Sequence, residues 1–111
     1  MITDIISPHA LRGQVAFITG GGSGINLAIG KVLARLGANV GICGRTADRL
    51  DAGRKELEAA GATVFTAVAD VRDDAAVQTA VSACGEALGP ISFAVCGAAG
   101  NFVAPAEAIS P

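Results

Sequence analysis

The sequence predicts an α/β protein with a doubly wound parallel sheet, and three observations support this fold class. Apolar segments of strand length alternate with segments of helical periodicity at regular intervals. The first apolar segment, residues 15–18, is continuous, which is typical of a parallel strand buried on both faces. It leads through a glycine cluster directly into a helical pattern. Because crossovers are right-handed, we expect the strand order 3-2-1-4, with the first two helices on one face and the third on the other.

Caps and helix-breaking residues set the element boundaries. The patterns predict strands at about residues 14–19, 39–43, 63–69 and 91–96 and helices at about 23–36, 47–60 and 73–88. Ser23 and Asp73 are suited to be N-caps, and Gly37 and Gly61 to end helices. Residues 97–102 are expected to form a loop, and 105–110 the start of a helix. The first helix is expected to bury an apolar stripe made of Ile25, Ala28, Ile29, Val32, Leu33 and Leu36.

Length and composition indicate one globular domain, residues 13–111, preceded by a leader at 1–12. Hydrophobic residues make up 51% of the 111 residues, and the net charge of −2 is dispersed, which favours neither a nucleic acid nor an anionic membrane as partner. Prolines and glycines within the uncharged stretch 87–106 argue against a membrane span. The three cysteines are widely spaced and form no CxxC pair, so we expect free thiols, a reducing cytoplasm and no metal site.

The turn after the first strand is a candidate phosphate site. Glycines allow a sharp turn and a close backbone approach, and the following helix presents free N–H groups and its positive dipole end. The dinucleotide pattern G-x-G-x-x-G is not in register here, so a purely structural turn is the alternative. The strand order reverses between strands one and four, so the turn and the loop at 97–102 are expected to flank one cleft. The candidate cofactor-binding residues of the turn are Gly20, Gly21, Gly22, Ser23, Gly24 and Ile25.

The end of the second strand bears on cofactor choice. An acidic residue there would accept hydrogen bonds from the adenosine ribose and favour NAD, whereas this chain has Gly44 and Arg45, with Arg49 one helical turn later. A guanidinium pairs well with a 2′-phosphate, so Arg45 and Arg49 predict NADPH. A solvated arginine is the alternative. A methyltransferase that uses S-adenosylmethionine would need the missing acid.

Three further side chains are expected at the same sheet edge. Asp70 follows the third strand, and its carboxylate is suited to accept from an adenine amino group or to stabilise the turn itself. Arg72 is either a contact for an anionic substrate or an exposed charge. Asn26 stands where a small residue normally lets the helix pack closely on the sheet. Its amide either reaches the phosphates or is tolerated after a small shift.

These residues carry a family resemblance. The segments at 19–25, 70–71 and 97–100 resemble the N-terminal half of a short-chain dehydrogenase/reductase, and residues 98–102 with Pro105 and Ser110 resemble its 2,4-dienoyl-CoA reductase branch. The resemblance implies a partial Rossmann domain that binds NADP(H) and a hydride transfer to a fatty enoyl- or dienoyl-CoA. It also implies acyl-CoA contacts at Arg45, Arg72, Phe102 and Ser110. The Asn101 amide would stabilise the dienolate by donating to the thioester carbonyl.

The departures from the family pattern matter equally. Asn26 replaces the last glycine of the family, and Gly97 and Ala98 replace its usual two asparagines. The sequence contains no tyrosine, and its lysines, Lys31 and Lys55, fall on the first two helices, so the catalytic Tyr/Lys region is absent. We therefore expect a nucleotide-binding half, truncated after strand four and inactive alone.

The sequence leaves two other functions open and also bears on the oligomeric state. A 3-oxoacyl reductase of the same family and a non-catalytic nucleotide-binding or assembly module are the alternatives, and residues 101–102 argue against the former. The outer edge of strand four is expected to lack a partner, and one sheet face is expected to be covered by a single helix. Both expectations predict a homo-oligomer or a chain that depends on a missing segment.

Overall fold

A computed structural model describes residues 10–20, 24–96 and 102–105, with the backbone alone at 96 and 102–105. Within these residues, no helix has both the length and the apolar character needed to cross a membrane. Strands and helices alternate as predicted up to the fourth strand, after which a second strand follows directly. In chain order they are β1 (Val15–Thr19), α1 (Gly24–Arg35), β2 (Asn39–Gly44), α2 (Ala47–Ala59), β3 (Val64–Val68), α3 (Asp74–Leu88), β4 (Phe93–Cys96) and β5 (Phe102–Pro105).

The sheet has the order β3-β2-β1-β4-β5, and its first four strands are parallel. The predicted order 3-2-1-4 is therefore confirmed. The strand β1 lies at the centre, with Val15 opposite Asn39 on β2 and Ile18 opposite Val95 on β4. All five residues of β1 are buried, as the continuous apolar run predicts.

The strand β5 was not predicted. It runs antiparallel to β4, with Phe102 opposite Cys96 and Pro105 opposite Phe93. The expected loop at Phe102 and the expected helix start at Pro105 are therefore wrong, and so is the expected lack of a partner for the outer edge of strand four. Aromatic and β-branched residues at 102–103 favour a strand, and a terminal proline is tolerated on an edge strand because its missing N–H is not needed there. Residues 106–110 lie outside the described part.

The helices divide between the two faces as predicted. On one face, α1 and α2 cover the sheet, where Leu50 and Leu57 of α2 form a cluster with Ile18, Val40 and Ile42 of the strands. On the other face, α3 packs on a second cluster formed by Val15, Phe17, Cys43, Ala80 and Cys84. The side chains of Cys43 and Cys84 are both fully buried.

The buried face of α1 differs from the predicted stripe. Ile25 is 68% exposed and Ala28 is also exposed, whereas the fully buried residues of this helix are Gly30 and Ala34. A Cβ atom on Gly30 would lie 3.0 Å from Cδ2 of Leu57 and 3.1 Å from Cδ1 of Ile18. Small residues therefore bring α1 close to the sheet, and periodicity of large apolar residues does not detect such a contact.

The predicted helix ends are largely confirmed. Asp73 caps α3, since its Oδ1 accepts from the backbone N–H of Ala76 at 3.2 Å. Gly37 and Gly61 follow α1 and α2 with φ values of +103° and +108°, a region that favours glycine. The predicted cap at Ser23 lies outside the described residues.

Candidate functional site

The carboxyl ends of the parallel strands meet at one edge of the sheet. Thr19 on β1 is opposite Cys43 on β2, and Gly44 is opposite Val68 on β3. The segments that follow these strands therefore begin side by side. This edge carries the turn after β1, the arginines after β2 and the acidic turn after β3, as the sequence predicts.

Hydrogen bonds hold the start of the glycine turn. The N–H of Gly20 donates to the carbonyl of Cys43 at 2.7 Å, and the hydroxyl of Thr19 donates to the carbonyl of Val95 at 3.4 Å. Gly20 and Gly24 have φ values of +68° and +67°, so both ends of the turn need glycine. The predicted cofactor contacts at Gly21, Gly22 and Ser23 fall outside the described residues.

The first turn of α1, which begins the described part of this helix at Gly24, is suited to an anion. The first N–H groups of a helix have no acceptor within it, and they form the positive end of its dipole. The first turns of α2 and α3 contain Asp48 and Asp74, whereas the first turn of α1 contains no acidic residue. No side-chain charge in that turn therefore opposes an anion. A Cβ atom on Gly24 would meet no atom of the described residues within 4 Å, and Gly24 is itself exposed.

Asn26 connects the helix to the end of β1. Its Nδ2 donates to the carbonyl of Thr19 at 3.2 Å, and its Oδ1 is a buried atom without a hydrogen-bond partner among the described residues. Close packing of α1 on the sheet is supplied one turn later, by Gly30. Asn26 thus leaves a buried acceptor beside the turn.

Arg45 and Arg49 are exposed at the end of β2 and in the first turn of α2. Neither forms an ion pair with any residue that the structure describes. The positive charge of Arg45 contributes, after the contributions of Arg72, to lowering the pKa of Asp70. The two guanidinium groups are therefore available to an anionic ligand at this edge.

The acidic turn after β3 is organised around Asp70. Its carboxylate accepts from the backbone N–H of Arg72 at 2.9 Å, from Nε at 3.2 Å and from Nη2 at 3.0 Å. These hydrogen bonds from Arg72 lower the pKa of Asp70 to about 2. Asp70 is thus an ionised acceptor at neutral pH. The sequence placed both residues at this edge but did not predict that they pair.

The remaining predicted residues are placed only in part. Asn101 and Ser110 lie outside the described residues, and Phe102 is described by its backbone, opposite Cys96 at the carboxyl end of β4. Lys31 pairs with Glu56 at 3.3 Å and Lys55 pairs with Asp51 at 3.4 Å, so both lysines are engaged on helices.

Val68 is a residue that the sequence analysis missed. It ends β3 and is 65% exposed, and among the described residues it and Ile25 are the two large apolar side chains with such exposure. Ile25 lies in the first turn of α1, so both belong to the carboxyl edge of the sheet. In the sequence, this position is indicated by a large apolar residue two positions before Asp70.

Comparison with known proteins agrees with this arrangement. The family model for short chain dehydrogenase matches residues 14–111. A peroxisomal 2,4-dienoyl-CoA reductase from Arabidopsis thaliana is 39% identical over 104 residues, which are 94% of this chain and 35% of that protein. A gluconate 5-dehydrogenase from Gluconobacter oxydans is 41% identical over 101 residues, which are 91% of this chain and 40% of that protein. The chain thus spans well under half the length of these relatives.

Solved structures give the same result. A short-chain dehydrogenase/reductase from Serratia marcescens superposes with a TM-score of 0.76 at 39% identity, over 80% of this chain and 37% of that one. A citronellol catabolism dehydrogenase from Pseudomonas aeruginosa superposes with a TM-score of 0.76 at 36% identity, over 82% of this chain and 38% of that one. The match over residues 14–111, together with the parallel sheet and its glycine turn, shows that this chain belongs to the short-chain dehydrogenase family.

Proposed function

We propose that the carboxyl edge of the sheet binds NADP(H). The diphosphate lies across the N-terminus of α1, where free N–H groups and the helix dipole favour an anion. Gly20 and Gly24, together with Gly21, Gly22, Ser23 and Ile25, form this part of the site. The nicotinamide nucleotide is expected for the family, and the choice of the phosphorylated form rests on the residues after β2.

The observation that carries this proposal is the pair of exposed arginines, Arg45 and Arg49. Both lie where the adenosine ribose of a dinucleotide meets the sheet, and neither is paired with a described residue. A charge-assisted hydrogen bond contributes about 1.5–3 kcal/mol, which corresponds to roughly a tenfold to hundredfold preference for the 2′-phosphorylated nucleotide. Asp70 accepts from the adenine amino group on the neighbouring side.

Titration calorimetry with NADPH and NADH tests the proposal on the unmodified chain and on Arg45→Ala. We expect NADPH to bind more tightly, and the substitution to remove most of that preference. Arg35→Ala is the matched control, because Arg35 is exposed in the last turn of α1, at the opposite edge of the sheet. Equal affinity of the unmodified chain for the two nucleotides would contradict the assignment.

We further propose that the whole protein reduces an unsaturated fatty acyl-CoA. Support comes from the dienoyl-CoA reductase relatives and from residues 98–102. The bound nucleotide supplies a hydride, and Asn101 donates a hydrogen bond to the thioester carbonyl, which stabilises the enolate oxygen. Arg45, Arg72, Phe102 and Ser110 contact the acyl-CoA.

Two alternative functions are distinguished by which substrate, if any, the protein reduces. A 3-oxoacyl reductase would oxidise NADPH with a 3-oxoacyl-CoA and not with a 2,4-dienoyl-CoA. A nucleotide-binding module would bind NADPH and turn over neither substrate. The module is favoured for this chain alone because its two lysines, Lys31 and Lys55, lie on α1 and α2, where they pair with Glu56 and Asp51. We therefore expect binding without turnover for residues 1–111.

Assembly and location are also proposals. The single helix α3 packs on β1, β2 and β3, and this supports the predicted homo-oligomer. Sedimentation as a monomer at low concentration would contradict it. The cysteines support a cytoplasmic location, whereas the dienoyl-CoA reductase relatives are described as peroxisomal.

A further inference from the structure

Arg72 makes three hydrogen bonds, and all of them end on Asp70. Its backbone N–H and its Nε both donate to Oδ1, at 2.9 Å and 3.2 Å, and its Nη2 donates to Oδ2 at 3.0 Å. The guanidinium therefore holds the carboxylate by both oxygens, and the backbone N–H fixes which oxygen faces the turn.

This arrangement leaves one acceptor position on the carboxylate. Each oxygen of an ionised carboxylate offers two, about four in total. The two donors from Arg72 fill Oδ1, and Nη2 fills one position of Oδ2. The remaining position on Oδ2 is the one that a ligand can use. Arg72 thus selects both the oxygen and the direction from which a donor approaches.

The backbone around the pair is fixed on both sides. The N–H of Ala69 donates to the carbonyl of Gly44 at 2.8 Å, which ties the turn to β2. The N–H of Asp73 donates to the carbonyl of Asp70 at 2.9 Å, and Asp73 then caps α3. These two hydrogen bonds hold the backbone on either side of Asp70, and the donors of Arg72, its backbone N–H and its guanidinium, orient the carboxylate.

We propose that Arg72 is a positioning residue that aims Oδ2 of Asp70 at the amino group of an adenine base and so makes the site selective for adenine. The inference rests on the proposed dinucleotide function. A base with a carbonyl in place of the amino group, such as hypoxanthine, presents an acceptor to an acceptor and is rejected. The hydrogen bonds from Arg72 also lower the pKa of Asp70 to about 2, so the carboxylate does not become a donor near neutral pH.

The Arg72–Asp70 pair is suited to this role because it contributes little to the stability of the fold. The side chain of Arg72 is 75% exposed and that of Asp70 is 35% exposed, and exposed ion pairs contribute little to stability. Variants at Arg72 are therefore expected to fold, with thermal midpoints only slightly below that of the unmodified chain. Two of the five guanidinium N–H donors are used, so three remain for an anionic substrate.

The experiment compares NADPH with its hypoxanthine analogue, which lacks the amino group, by calorimetry on the 111-residue chain. For the unmodified chain, loss of a hydrogen bond to a charged acceptor weakens binding by roughly tenfold to hundredfold. In Arg72→Ala the backbone N–H of residue 72 still donates to Oδ1, but the guanidinium no longer fixes the plane of the carboxylate or the open position on Oδ2. The ratio of the two affinities therefore falls to below about threefold. Arg72→Lys keeps the charge without the planar fork and does not restore the ratio.

Arg54→Ala is the matched control. Arg54 also donates through Nη2 to an aspartate, Asp51 at 2.7 Å, but it lies on α2. This variant should keep the full ratio. If Arg72→Ala also keeps the full ratio, the positioning role is overturned while the dinucleotide site stands. If the unmodified chain binds both nucleotides equally, adenine selection by Asp70 is overturned. If it binds neither, the proposed function fails as well.

Discussion

Gly41 on β2 provides a direct test of how α3 packs on the sheet. It faces α3, and a Cβ atom there would overlap with Sγ of Cys84 and lie 3.2 Å from Cδ1 of Phe17. Both neighbours are buried, with 0% and 1% of their surface exposed. The overlapping atom cannot move toward solvent, and overpacking of this kind typically costs about 1–3 kcal/mol. We expect Gly41→Ala to lower the free energy of unfolding by roughly 2–3 kcal/mol, at the upper end of that range.

The double variant Gly41→Ala with Cys84→Ala tests the cause. Without the sulfur, the new methyl group meets the Cβ of residue 84 at 3.5 Å, which is ordinary van der Waals contact. Cys84→Ala alone should cost about 0.5–1.5 kcal/mol, as for a single-carbon deletion. The double variant should therefore be no less stable than Gly41→Ala, with a coupling of at least about 0.5 kcal/mol by urea unfolding.

Gly44→Ala is the control for these measurements, because its Cβ would meet Cδ2 of Leu50 at 3.6 Å without overlap. It should change stability by less than about 0.5 kcal/mol. Additive costs in the double variant, or a Gly41→Ala cost as small as that of Gly44→Ala, would refute the packing argument. If Gly41→Ala does not fold, recovery of folding in the double variant is the deciding observation.

Three further predictions concern single side chains. Asp73→Ala should lower the free energy of unfolding by about 1 kcal/mol because it removes the cap of α3, whereas Asp73→Asn keeps an acceptor and should lose less. Hydrogen bonds from Arg72 hold the pKa of Asp70 at about 2, so its carboxyl NMR signal should titrate there and move toward 3.8 in Arg72→Ala. Because the folded-state pKa is lowered, the stabilisation is full above pH 3.8 and is lost as the pH falls through about 2, and an unshifted titration would contradict the pairing. Burial raises the pKa of the Cys84 thiol to about 11, so an alkylating reagent at pH 8 should modify it only after unfolding, and rapid labelling of the native chain would argue against its burial.

Much of the fold follows from residue patterns because buried parallel strands have an unambiguous signature. Residues 15–18 predicted the central strand, and the spacing of later elements predicted the order 3-2-1-4. The convergence of Gly20, Arg45 and Asp70 at one edge also follows, since all three lie within two residues of the end of a parallel strand.

Other features were beyond sequence reasoning for physical reasons. The pairing of Arg72 with Asp70 depends on a side-chain conformation, which charge alone does not determine. Gly30 lets the side chains of Leu57 and Ile18 approach the backbone of α1. In the sequence, a glycine at this position indicates only a weak helix former. The strand β5 was obscured because Phe102 belongs to a glycine-rich segment that has the composition of a loop.

The position of β1 in the sheet has a consequence for how the chain folds. Its partner β2 follows after a single crossover helix, α1. Its other neighbour, β4, comes much later in the chain: the hydrogen bond that the backbone N–H of Val15 donates to Oγ of Ser92 joins residues 77 positions apart. During synthesis the unit from β1 to β3 is therefore available first, with one side of its most apolar strand unprotected. The second side of β1 is paired only when β4, residues 93–96, is present. Small domains rich in pairings between such distant residues fold more slowly than those with local contacts.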